Sequence, residues 1–74
     1  MSEQLQEFDV VALLSDSAED KLSAGQTGAV VYVYDGGKAF EVEFPLTARN
    51  SVVATLPRKQ LLKLKGQPFS RAGN

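Results

Sequence analysis

The stretch Ala29-Val30-Val31-Tyr32-Val33-Tyr34-Asp35-Gly36-Gly37-Lys38-Ala39-Phe40-Glu41-Val42-Glu43-Phe44 decides the fold. Residues 30–34 are all β-branched or aromatic, the types that fit a pleated, half-buried surface. Asp35-Gly36-Gly37 then reads as a hairpin turn, because glycine reaches positive φ without steric cost. Past the turn the pattern alternates strictly. Phe40, Val42 and Phe44 are expected to face a core, and Glu41 and Glu43 to face water. Two antiparallel strands joined by a tight turn follow from this stretch alone.

Working outward, Phe8 to Leu14 reads as a first strand by its length, its two valines and the turn residues after it. Residues 15–26 are polar and rich in Ser, Asp and Gly, so they form a long loop. Leu22 is the loop's one large apolar residue and is expected to tuck it onto the core. Gly25 and Gly28 bracket the loop's exit, each marking either positive φ or a close backbone approach. Pro45 ends the third strand, having no N–H for a ladder. Residues 45–50 turn the chain, and 51–56 form a fourth strand with Val52, Ala54 and Leu56 on one face. Pro57 to Gln60 suits a single 3₁₀ turn, and Leu61 to Leu64 a short fifth strand. That order predicts an all-β fold, a small five-stranded SH3-like barrel with a 3₁₀ turn before the last strand, whose closure would remove most free sheet edges. Residues 1–7 are read as a flexible N-terminus, 8–64 as the barrel and 65–74 as a disordered tail in which Phe69 is a candidate for docking.

Composition narrows the function. A chain of 74 residues, 43% apolar, allows one domain. A globule of this size buries roughly 60% of the surface its unfolded chain exposes, which leaves no room for a deep substrate cavity. There is no Cys, His or Trp. The commonest general base, the commonest transition-metal ligands and the thiolate nucleophile are therefore missing, and the chain is read as a non-enzyme without cofactor, metal or small-molecule substrate. The N-terminal heptad carries acids where a signal peptide needs bases, and no apolar run approaches the length of a membrane span, so the expectation is a cytoplasmic protein with no membrane contact.

A resemblance adds to this. Asp9-Val10-Val11-Ala12-Leu13-Leu14, then Leu22-x-x-Gly25-Gln26-x-Gly28-x-Val30-Val31, then Tyr34-Asp35-Gly36-Gly37, Phe40-Glu41-Val42-Glu43-Phe44, Thr55-Leu56-Pro57 and Gln60-Leu61 occur in order over residues 8–64. This series resembles a family of small bacterial proteins known only as a domain of unknown function. The resemblance implies a small accessory or immunity-like protein that binds a partner, and no chemistry. The Gly-x-x-Gly-x-Val piece also looks like the KOW motif of ribosomal and transcription-factor barrels, which reports turn-to-strand geometry more than function.

Charge is split along the chain. Residues 1–44 hold nine acids and two bases, a sum of −7, and residues 45–74 hold six bases and no acid, a sum of +6. Either this marks a polar partner surface or the halves neutralise each other within the fold. Glu41 and Glu43, about 6–7 Å apart along a strand, are read as a solvated face rather than an acid/base or metal pair. Asp16, Glu19 and Asp20 are read as a solvated loop, since a Pro-rich ligand would need a Trp platform. The reading for function is a protein–protein interaction module. Alternation is taken to put Ala29, Val31 and Val33 on the core side and Val30, Tyr32 and Tyr34 opposite. Val30, Tyr32 and Tyr34 are then apolar anchors and Lys38, Glu41 and Glu43 a polar rim, facing a different protein or a second copy as homodimer, the other cover open to that face being the chain's own loop or its tail with Phe69. The alternative, less favoured, is a nucleic-acid-binding module using the basic cluster Arg58, Lys59, Lys63 and Lys65.

Overall fold

A computed structural model describes residues 4–64 of the chain. Five strands run β1 Val10–Leu13, β2 Thr27–Tyr34, β3 Ala39–Pro45, β4 Ser51–Pro57 and β5 Leu61–Lys63, with one 3₁₀ turn, Arg58–Gln60, between β4 and β5. The all-β class, the strand order and the 3₁₀ turn before the last strand are as the residue pattern indicates. Pro57 stands just ahead of the turn in extended backbone, where its fixed φ and missing N–H cost nothing. The tail expected over 65–74, with Phe69, lies outside the described residues.

Closure into an SH3-like barrel is not observed. The strands form one antiparallel sheet in the order β4-β3-β2-β1-β5, and β4 and β5 do not pair. The 3₁₀ turn carries the chain from one end of the sheet to the other, where β5 pairs with β1 through Leu13↔Leu61, Ala12↔Leu62 and Val11↔Lys63. With only three residues, β5 has no second run to offer β4, and barrel closure needs a continuous stagger of paired strands around the ring. The sheet is therefore open, with β4 and β5 as its edges.

One face of the sheet is buried. Val11, Leu13, Val30, Phe40, Val42, Phe44, Ala54, Leu56 and Leu61 pack together, joined by Leu22 from the long loop and Leu5 from the segment before β1. Among the described residues no polar or charged side chain is buried. Leu22 does tuck the loop inward. The loop is fixed locally by a bridge between Ser17 and Leu22, by Ala24 N–H donating to Asp16 Oδ1 at 2.8 Å, and by Ser17 Oγ donating to Asp20 Oδ2 at 2.8 Å. Leu5 falls in the stretch read as flexible, yet it is only 5% exposed. Its heptad gives no periodic signal, because Met1 and Leu5 alone among polar residues set no repeating pattern.

The facing of β2 differs from simple alternation. Val30 pairs with Val42, but the next pair is Tyr32 with Glu41, so Val31 is an extra residue in the ladder. Such a bulge inverts the side-chain phase along one strand. Before it, Gly28 and Val30 point inward. After it, Val33 points inward and Tyr32 and Tyr34 outward. The assignment of Val30 to the outward face is thereby corrected, since Val30 is fully buried. Ala29 and Val31 likewise leave the core side, and Val31 is 37% exposed. A second departure precedes β1. Phe8 has φ of 75° and is largely exposed, while its N–H donates to Val30 O at 2.7 Å. It introduces β1 instead of belonging to it.

The hairpin turn has the expected conformation. Asp35, Gly36 and Gly37 all have positive φ, at 49°, 68° and 112°, and Tyr34 O accepts from the N–H groups of Gly37 and Lys38.

Candidate functional site

The β2–β3 hairpin presents its outward face around two tyrosines. Tyr32 and Tyr34 are two residues apart after the bulge, so both rings rise from the same side. Their centroids are 4.7 Å apart with planes at 67°, the edge-to-face arrangement that aromatic quadrupoles favour. Tyr34 Oη donates a hydrogen bond to Glu41 Oε1 at 2.8 Å. Glu41 is the cross-strand partner of Tyr32, so its carboxylate stands beside the tyrosine pair. On β3's other side, Glu43 lies opposite Val53 of β4, and Glu43 Oε2 accepts from Ser51 Oγ at 2.7 Å. Tyr32 and Val53 are each about half exposed. Lys38 is exposed at the end of the turn. The result is an aromatic pair, Tyr32 and Tyr34, among hydroxyls and carboxylates that already hold one another in place.

The Tyr34–Glu41 contact has a titration consequence. Donation to Glu41 raises the Tyr34 phenol above the ordinary 10.0, helped by partial desolvation and by the negative charge of Glu41. The folded state thus favours the protonated phenol. That contribution is complete below the ordinary tyrosine value and is lost as pH rises through the raised one. In a phenolate absorbance titration of the folded chain, part of the signal should be displaced upward from the ordinary tyrosine midpoint, and Tyr34→Phe should remove that late part. A titration that keeps its late part in Tyr34→Phe contradicts the contact.

The carboxylates do not assemble into a reactive pair. Glu41 and Glu43 share the outward face but each accepts a different hydroxyl. Among the described residues no group of three or more His, Cys, Asp or Glu could hold a metal ion.

The basic cluster is not brought together as an unengaged row. Arg58 Nη1 donates to Leu61 O at 2.6 Å, inside its own turn. Lys63 Nζ lies 3.5 Å from Asp9 Oδ2 and also donates to Gln4 O at 3.3 Å. Lys59 is exposed, and Lys65 lies outside the described residues. The Lys63–Asp9 pair joins the basic end of the chain to its acidic beginning, so part of the charge split is neutralised within the fold. A single partly exposed pair of this kind, its side chains 30% and 21% exposed, adds little stability.

A shallow cleft lies between the N-terminal segment and the hairpin, lined by Leu5, Phe8, Val33, Gly37 and Arg58 among others. Sequence reasoning missed Phe8 as a surface aromatic. No residue pattern signals its exposure, because the positive φ that turns it outward, which a bulky residue adopts only under constraint, is a property of the folded backbone.

Among the described residues no helix is long and apolar enough to cross a membrane. Residues 7–63 match a protein family described as Domain of unknown function (DUF4926). No curated protein and no solved structure matches the chain.

Proposed function

This chain belongs to the DUF4926 family, and we propose, from its own surface, that it is a non-catalytic protein–protein interaction module. Its docking surface is the outward face of the β2–β3 hairpin, with Tyr32 and Tyr34 as anchors and Lys38, Glu41 and Glu43 at the rim. The observation that carries the reading is the fixed tyrosine pair. The rings meet edge to face, the Tyr34 hydroxyl is held by Glu41, and Tyr32 still leaves half its surface open to solvent. Aromatic residues dominate interface energetics, and a pair already ordered in the free protein loses little entropy on docking. The two glutamates favour a partner that brings an apolar contact and a Lys or Arg beside it.

Replacing both anchors tests this. Tyr32→Ala/Tyr34→Ala should keep the far-ultraviolet circular dichroism of the parent, since neither ring belongs to the core. Truncating a hot-spot anchor costs about 2 kcal/mol, a loss of roughly 30-fold in affinity. A captured partner should therefore be lost from the double variant and retained by Lys59→Ala. Equal capture by the folded double variant and the parent would remove the proposal.

A further inference from the structure

The two free edges of the sheet are built differently. β5 is three residues long and carries Lys63, the short and charged form by which edge strands resist pairing. β4 is seven residues long, Ser51-Val52-Val53-Ala54-Thr55-Leu56-Pro57, and contains no charged residue. It pairs with β3 on one side through its whole length and, among the described residues, with no strand on the other.

The direction of its free groups can be read from the ladder. Leu46 N–H donates to Asn50 O, so that pair is hydrogen-bonded, and in an antiparallel ladder hydrogen-bonded pairs alternate. Phe44↔Val52, Val42↔Ala54 and Phe40↔Leu56 follow as hydrogen-bonded pairs. The N–H and C=O groups of Ser51, Val53 and Thr55 then point away from β3. They meet no hydrogen-bond partner among the described residues.

We propose that this edge pairs with β4 of a second copy of the chain, antiparallel about a two-fold axis at Val53, to give one continuous sheet across two protomers. Centred on Val53, Ser51 of each copy faces Thr55 of the other, and every outward N–H meets a carbonyl. Centring on Ala54 instead would set Ser51 against Pro57, which has no N–H to give. In the Val53-centred register Val53 meets Val53 on the outward face and Val52 meets Ala54 on the inward face. β-Branched side chains facing each other support a sheet, and like charges would oppose it. Only the residue on the axis meets its own copy, and that residue is the uncharged Val53 of a strand without any charge, so no like charges face each other there. β4 also has no charge or pocket with which to select a foreign strand. This surface is separate from the tyrosine pair and goes beyond the proposed docking role.

The experiment is solution mass by light scattering on the 74-residue chain from low to high micromolar concentration, with Val53→Lys and Leu62→Lys. Val53 and Leu62 are both half exposed on the outward face, so both variants should fold. The parent should rise to twice 8.0 kDa. Val53→Lys sets two lysines together across the axis and should stay at the mass of one chain, while Leu62→Lys, on the other edge strand, should behave as the parent. Amide exchange on the parent provides a reading without substitution: Val53 and Thr55 should gain protection as concentration rises. A parent that stays at one chain mass overturns the proposal. So does a folded Val53→Lys variant at twice that mass, or an exchange rate at Val53 and Thr55 independent of concentration.

Discussion

Gly28→Ala is expected to destabilise the fold by about 3 kcal/mol, the upper end of what overpacking costs in a filled core. Gly28 is buried in β2 and points inward where β3 passes over it. A Cβ at this position would stand 2.5 Å from the backbone oxygen of Glu43, 2.9 Å from a ring carbon of Phe44 and 3.0 Å from Val42. The nearest obstacle is main chain, tied into ladders on both sides of β3, so no rotamer change relieves it. Gly25, Gly36 and Gly37 differ in kind. They have positive φ and open space around them, so they serve backbone conformation where Gly28 serves a close approach. For a domain of this size each kcal/mol lowers Tm by roughly 4–8 °C, and the shift should total roughly 12–24 °C. Thermal unfolding followed by circular dichroism measures it, and a fall of only a few degrees would show that β3 can move aside.

Phe40→Ala should cost more, about 3–5 kcal/mol, from lost transfer energy and from the cavity left behind. Phe40 is 1% exposed and lies between Val33 on β2 and Leu56 on β4. It joins the three longest strands at the hairpin end of the core. Among the described residues no polar side chain is buried in that core, so only apolar side-chain contact supports the strand ladders there. A loss of this size approaches the whole stability of a small domain, of order 5 kcal/mol. Urea denaturation should show the variant largely unfolded or with a midpoint close to zero denaturant. A cost under about 1 kcal/mol would mean that the core refills the space, against the usual incomplete relaxation of packed interiors.

Much of the fold is legible in local chemistry. Asp35-Gly36-Gly37 names its own turn, because positive φ at three successive positions has few other solutions. The β3 sequence states its facing outright, since Phe40, Val42 and Phe44 alternate with two glutamates. β2 does not, because Ala29 to Tyr34 is apolar or aromatic at every position and alternation has no polar member to anchor it. The bulge at Val31 is invisible in such a run, and it places Val30 in the core and Val33 beneath the tyrosines. Closure was equally illegible. The order of five strands is shared by a closed barrel and an open sheet, and the difference lies in whether β4 finds a partner on its second edge. Of the candidate surface, Tyr32, Tyr34, Glu41 and Glu43 could be named from the sequence and do face outward together. The hydrogen bond from Tyr34 to Glu41 needs the register, which the bulge sets.

Contact with another protein through the face carrying Tyr32 can be trapped with a photo-crosslinking amino acid at position 32, compared with the same group at position 59 on the 3₁₀ turn. In cell extract, position 32 should give a discrete adduct that unlabelled parent chain competes away and the Tyr32→Ala/Tyr34→Ala chain does not, while position 59 gives none. An adduct from position 59 and none from position 32 would place the contact elsewhere and contradict the claim.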